Sequence, residues 1–328
     1  MRRCDFITLL SSAALAAPDF ARAQGRVRRI GVLMQFRQDS PEVAAWIAAF
    51  QEGLQKLNWV EGRNIRSDYH WGGTDDAALK RFAKEIVASK PDLIISSSSL
   101  TTHILKPETQ TIPIIFTNIV DPVGQGLVNS LSRPGGNITG FVNLEPSVSG
   151  KYVELLKEIA PRIGRIVIFY NPATTPYSDI YLKPFQAAAT TLGIEAIAAP
   201  VRDLTELDSV MAAQAQKPNT GLIAMPSGFA SGNVKEIAAL TLRHKLPMVT
   251  TALAGPRAGA LLAYGNDIND NYRRAASYVD RILKGEKAGD LPVQFPVKFQ
   301  MVVNLKTAKT LGLDVPLFFQ QRADEVIE

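Results

Sequence analysis

Short β-rich runs alternate with helical stretches along almost the whole chain, and this alternation is what most restricts the fold. The first set of runs begins at residues 29–34, Arg-Ile-Gly-Val-Leu-Met, a buried-strand pattern. Apolar residues at helical spacing follow: Val43, Trp46, Ile47, Phe50, Leu54 and Leu57. Residues 65–71 alternate like a strand, and Leu79, Phe82, Ile86 and Val87 mark a helix over 77–88. Strands are expected at 92–96, 112–116 and 138–142. A second set repeats the order. It has strands at 165–170, 194–201, 221–225, 247–251 and 261–264, with helices at 178–192, 204–215 and 233–243 between them. Alternation of this kind builds crossover units on a parallel sheet covered on both faces. Two sets give two α/β, doubly wound lobes.

The two sets do not account for everything. A Pro/Ser/Gly stretch, 144–150, separates them and leads into a helix at 151–159. A strong helix, 268–283, has no strand of its own set beside it. The segment 294–303 and a short helix near 306–311 close the chain. The economical reading is that the chain crosses between lobes more than once. One lobe is then expected from residues 24–144 plus 265–290, the other from 145–264 plus 291–328.

The N-terminus sets the expected compartment. Arg2 and Arg3 precede an uncharged, mostly apolar run of twelve residues, Phe6 to Ala17. Ala21-Arg22-Ala23 is a small-x-small site, so residues 1–23 read as a secretory signal peptide cut after Ala23. The run is shorter than the roughly 20 residues a bilayer span needs. The arginine pair resembles a twin-arginine signal, but Cys4 and Asp5 both intervene before Phe6, which puts the register off by one. A periplasmic location follows. Cys4 is the only cysteine, so disulfides, thiolate nucleophiles and cysteine metal sites are excluded downstream. The net charge of +5 is dispersed, with no basic block of the kind a nucleic-acid binder needs. No cofactor motif stands out, since Gly31 is followed by Val-Leu-Met rather than a dinucleotide fingerprint, and no Walker loop or Gly-x-Ser-x-Gly elbow occurs.

In doubly wound sheets, ligands bind beyond the carboxyl ends of the strands. The residues there are Gln35 and Phe36 after the first strand, Ser97 and Ser98 after the third, and Thr117, Asn118 and Asp121 after the fourth. In the second lobe they are Tyr170 and Asn171, then Ser227, then Thr250. Tyr264 and Asp267 lie where the chain crosses back. Hydroxyls, amides and aromatic rings suit a small-ligand pocket. The serine run suits either an anion or plain helix capping. Asp121 and Asp267 suit a ligand ammonium, or a turn before Pro122 and a helix cap, respectively. Phe36, Tyr170 and Tyr264 suit ligand stacking or ordinary core. Of the three histidines, only His103, after the serine run, is placed to approach a ligand.

Several stretches together resemble the ABC-type substrate-binding proteins that include tryptophan- and tyrosine-type binding components. They are Arg29-Ile-Gly-Val-Leu, Phe50-Gln-Glu-Gly-Leu with Glu61-Gly-Arg-Asn, Pro91-Asp-Leu-Ile, Asp121-Pro-Val-Gly and Arg133-Pro-Gly-Gly-Asn-Ile-Thr-Gly. Late in the chain come Tyr272-Arg-Arg-Ala-Ala, Tyr278-Val-Asp-Arg-Ile-Leu-Lys-Gly, Asn304-Leu-Lys-Thr-Ala-Lys and Arg322-Ala-Asp-Glu-Val-Ile. The resemblance implies the type I periplasmic-binding-protein fold, with a hinge of about three crossover segments and a solute in the cleft. It also implies an ABC permease and ATPase as membrane partners for a monomeric, non-enzymatic binder. The residues themselves leave open an amino acid or another small, possibly aromatic, carboxylate as solute. They also leave open a signalling accessory of the same fold, or an exported α/β enzyme. A DNA-binding helix pair has no room before residue 28.

Overall fold

The computed structural model describes residues 26–328 except Thr74 and Pro176; the expected signal peptide and its expected cleavage site lie outside the described residues. The first sheet contains β1 (Arg28–Met34), β2 (Ile65–Trp71), β3 (Leu93–Ser96), β4 (Ile114–Ile119) and β5 (Ile138–Val142). They lie in the order β2-β1-β3-β4-β5, all parallel. Helices α1 (Pro41–Lys56), α2 (Asp76–Ala88) and α3 (Ser99–Leu105) connect them.

Alternate residues of these strands enter different cores. Ile30, Val32, Met34 and Ile95 pack on one face with Phe50 and Leu54 of α1. Leu33 and Ile94 pack on the other with Leu79, Ala83 and Ile86 of α2. Strands buried on both faces need unbroken apolar runs, which is why Leu93-Ile-Ile reads as continuous rather than alternating.

The second sheet repeats the plan. Strands β6 (Arg165–Tyr170), β7 (Glu195–Pro200), β8 (Thr220–Ala224), β9 (Met248–Thr250) and β10 (Leu262–Asn266) run in the order β7-β6-β8-β9-β10. Ile166 and Ile168 face α4 (Val148–Ile159) and α5 (Ser178–Thr191). Val167 and Phe169 face α6 (Leu204–Ala215) and α8 (Val234–Arg243), which follows the one-turn α7 (Gly228–Gly232). Two strands extend this sheet beyond the repeat: β11 (Phe299–Asn304), antiparallel to β10, and β12 (Glu325–Ile327), parallel to β11. Helices α10 (Leu305–Thr310) and α11 (Leu317–Gln321) connect them.

The expected α/β class and paired, doubly wound sheets are what the structure has. Differences are local. The helix expected over 233–243 is preceded by the separate turn α7, because Ser227 caps a short helix of its own. The segment 294–303 divides between sheets. Gln294 bridges β5, with Val142 N donating to Gln294 O at 2.9 Å, and only 299–304 forms β11.

The chain passes between the sheets three times: after β5 into α4, after β10 into α9 (Ile268–Leu283), and between Gln294 and β11. Helix α9 follows a strand of the second sheet, yet Tyr272, Ala275, Ala276 and Val279 bury against the first sheet and α1. The α1–α9 approach is close at Gly53, where a Cβ would stand 2.6 Å from Arg273 O and 2.8 Å from Ala276 Cβ.

Two predictions follow from this packing. Gly53→Val pushes α9 off α1 and lowers stability by about 1–3 kcal/mol, read from the urea midpoint; an unchanged midpoint contradicts the close packing. Asp92 ties β3 to β1. Burial works against its charge, but the Arg29 N–H, Arg28 and nearby Arg26 hold its carboxyl below the usual range. A depressed folded value stabilises the protein above the unfolded value of about 3.9, and that stabilisation is lost as pH falls through the folded value. Asp92→Asn therefore lowers stability by about 1 kcal/mol at pH 7, and the difference from wild type shrinks toward zero on acidification below the folded value. A difference independent of pH contradicts the assignment.

Candidate functional site

The switch point of the first sheet lies between β1 and β3, where the connections leave in opposite directions. Here the backbone of the two strands is laced together: Ser97 N donates to Leu33 O (3.2 Å) and Gln35 N donates to the Ser97 hydroxyl (2.9 Å). Ser98 caps α3, with its hydroxyl accepting from Thr101 N while the Thr101 hydroxyl accepts from Ser98 N. Beneath them Ser96 is fully buried and 2.7 Å from both Thr101 and Thr102 hydroxyls. The Thr117 hydroxyl donates to Ser96 O. The serine run is thus a capping and cross-bracing device. The Ser97 hydroxyl, which accepts from Gln35, retains its own proton to donate.

The second-lobe positions are similar. Asn171 is engaged at both ends of its amide, to Arg202 O (2.7 Å) and from Ala173 N (2.9 Å), and so organises its own loop. Ser227 accepts from Ala230 N and Thr250 from Ala252 N, each leaving an O–H free to donate.

The two expected carboxylates are not free. Asp121 adopts a left-handed backbone (φ 45°) and accepts from Gly124 N at 2.8 Å, a turn role. Asp267 caps α9 by accepting from Asn269 N (3.1 Å) and pairs with Lys298 Nζ at 2.9 Å, so it braces two crossings of the hinge. Asp267 N also donates to Lys298 O.

Aromatic rings line both lobes near these strand ends. Phe36 meets Trp46 edge-on (5.0 Å), Trp46 stacks on Tyr272 (5.7 Å, 15°), and Tyr69 stacks on Trp71 (5.9 Å). Opposite, Tyr264 stacks on Phe299 (5.5 Å) and meets Tyr152 edge-on, while Tyr177 lies beside Tyr181. Tyr170 is half-buried against the same core. Burial pushes the Tyr69 and Tyr177 phenols up to about 12 and raises those of Tyr152, Tyr181 and Tyr272 as well; the Asp121 carboxylate adds to the shift of Tyr181. These groups stay neutral at physiological pH, and the hydroxyls of Tyr69, Tyr152, Tyr181 and Tyr272 are buried without a hydrogen-bond partner.

Sequence reasoning did not single out Trp46, Tyr69 and Trp71, half-buried rings whose helical or alternating spacing reads as core; Tyr152, Tyr181 and Tyr272 are buried core residues. It also missed a set of amides. Asn118, which it had named, has an unpartnered Oδ1, and so do Asn143 and Asn271. The only signal for these was the clustering of asparagines at strand ends and in the first turn of α9.

The histidines each have a neighbour other than the strand-end hydroxyls. His103 contacts Gln125 on the surface, His70 packs on Phe82, and His244 lies 2.6 Å from Asp208 between α6 and α8. No three His, Cys, Asp or Glu side chains cluster as a metal site among the described residues. A hollow of about 330 Å³, lined by Arg28, Asp92, Pro113 and Asn137, lies at the opposite, amino-terminal edge of the first sheet. No helix among the described residues is long and apolar enough to cross a membrane.

Comparison with known proteins agrees with this architecture. The family model described as ABC transporter substrate binding protein matches residues 29–327. A tyrosine-binding protein of Clostridioides difficile (strain R20291) is 25% identical over 267 residues, covering 80% of this chain and 75% of its own. An ABC domain from Streptococcus pneumonia, solved in complex with L-Trp, superposes with a TM-score of 0.81 at 25% identity, over 92% of this chain and 99% of that one. A conserved domain protein from Vibrio cholerae has a TM-score of 0.81 at 28% identity, over 92% of this chain and 100% of that one. With the family match spanning nearly the whole described chain, this protein belongs to the ABC transporter substrate binding proteins, the solute-binding components of ABC transporters.

Proposed function

We propose that this chain captures an amino acid, aromatic in its side chain, between its two lobes and delivers it to an ABC permease and ATPase for import. The moving bodies are residues 24–144 with 265–290 and residues 145–264 with 291–328. After removal of a signal peptide at Ala23 the protein works as a periplasmic monomer.

One observation carries the reading. The carboxyl edges of two similarly wound sheets, each with aromatic rings and spare hydroxyl donors, are joined by three crossings. A solute touching both edges stabilises only the closed arrangement, which drives closure without chemistry. Ser97, Ser227 and Thr250 hydroxyls are donors for a carboxylate. Phe36, Trp46, Tyr170 and Tyr264 offer surfaces for an aromatic ring. The ligand names of the relatives, tyrosine and L-Trp, point the same way. Binding without turnover fits a site whose hydroxyls cap helices and brace turns, with no histidine within hydrogen-bonding distance of them.

The test is a thermal-shift screen of residues 24–328 against amino acids, aromatic acids and sugars. Tryptophan or tyrosine is expected to raise the melting temperature, since a ligand at 100 times its Kd adds about 2.7 kcal/mol. A shift with sugars alone contradicts the amino-acid assignment. Silence across the panel contradicts solute capture.

A further inference from the structure

We propose that Asn271, flanked by Asn118 and Asn143, forms the subsite that takes the solute's protonated amine, a proposal that rests on the amino-acid reading above. Asn271 lies in the first turn of α9 and is 1% exposed. Its Nδ2 donates to Thr117 O (3.3 Å) and to Val142 O (3.0 Å), the carbonyls at the ends of β4 and β5. Those two bonds fix the orientation of the amide, because only its nitrogen end can donate to carbonyls. Its Oδ1 is therefore an acceptor, and it has no partner.

The two carbonyls belong to the peptide links that precede Asn118 and Asn143. Both of those residues also carry a buried Oδ1 without a partner, and Asn143 N donates to Ile119 O at 2.7 Å, which holds the two strand ends side by side. The preceding residues of α9 add two further orphan oxygens, Asn269 Oδ1 and Asp270 Oδ2. The Asp270 carboxylate has Arg273 at 3.6 Å and Arg274 at 3.9 Å, too far for hydrogen bonds.

A buried acceptor left without a partner is costly, so several of them around the strand ends and the start of α9 call for an occupant. Carbonyl oxygens can only accept, so the occupant must donate. A carboxylate is repelled from such a wall. An ammonium presents three N–H donors and a positive charge, which matches amide oxygens that can only accept. The next residue, Tyr272, stacks on Trp46, which places an aromatic pair on the same turn of α9. Of the two acids that the sequence offers for an ammonium, Asp121 accepts from Gly124 N in a turn, and Asp267 caps α9 and pairs with Lys298.

The experiment is isothermal titration of residues 24–328 with L-tryptophan and L-tyrosine, and with their deaminated acids, 3-indolepropionate and 3-(4-hydroxyphenyl)propionate. The same titrations are run on Asn118→Leu and Asn143→Leu. Asn271 is left in place because its Nδ2 ties α9 to two strands. Loss of the amine is expected to weaken binding by about tenfold or more. Each leucine variant is expected to weaken the amino acid while leaving the deaminated acid unchanged, so that the gap narrows. Deaminated acids that bind within about threefold of the amino acids mean that only water fills the subsite, which overturns the amine assignment and leaves solute capture intact. Variants that weaken both ligand types equally overturn it too. No binding of any of the four overturns capture of an aromatic amino acid and the subsite together.

Discussion

The packing of α9 on α1 is the contact on which the two-lobed architecture depends. Helix α9 leaves the second sheet at Asn266 and buries Tyr272, Ala275, Ala276 and Val279 in the first. Without that return the chain would be two independent α/β domains joined by one linker. With it, the polypeptide must cross back after α9 to reach β11, and the three crossings become neighbours. The Asp267–Lys298 pair and the bridge of Gln294 to β5 then fasten those crossings to one another. The small residues at this contact, Gly53 and Ala276, are what allow the helix backbones to approach so closely.

The same arrangement sorts the polar groups of the cleft. Most hydroxyls at the strand ends already accept a hydrogen bond from a helix start or a turn, so what they have left to offer is a proton. The amides of Asn118, Asn143 and Asn271 are the converse case, with orphan oxygens that can only accept, while Asn266 keeps an unpartnered Nδ2 donor. On the proposal above, an aromatic amino acid would meet hydroxyl donors with its carboxylate and the amide oxygens with its amine.

The fold was largely legible in the sequence because buried parallel strands need continuous apolar runs and covering helices need 3.6-residue spacing. Residues 29–34, 165–170 and 268–283 carry those signals strongly. Even the oddity of a helix at 268–283 with no companion strand was visible, and the α1 contact explains it. Three-to-five-residue elements such as α7, α11 and β12 escaped because so few residues hold no periodicity. The site was legible only as a location. Strand-end rules single out Ser97, Thr117 and Asn118 as candidates, but whether a hydroxyl is engaged or an amide is orphaned depends on partners far away in sequence. Asn271 meets Thr117 and Val142 across more than a hundred residues, and no local pattern announces that. Trp46 and Tyr272 were legible as helix-face residues, but their stacking against each other was not.

Closure of the two lobes on a solute is the claim that joins fold to function, and inter-lobe distance tests it most directly. Residues 24–328 contain no cysteine. Cysteines placed at Ala77, on the exposed start of α2, and at Thr205, on the exposed start of α6, therefore carry a specific label pair across the cleft. Saturation with tryptophan or tyrosine is predicted to shorten the distance between the labels and narrow its distribution. Calorimetric binding with no change in that distance would contradict capture by closure.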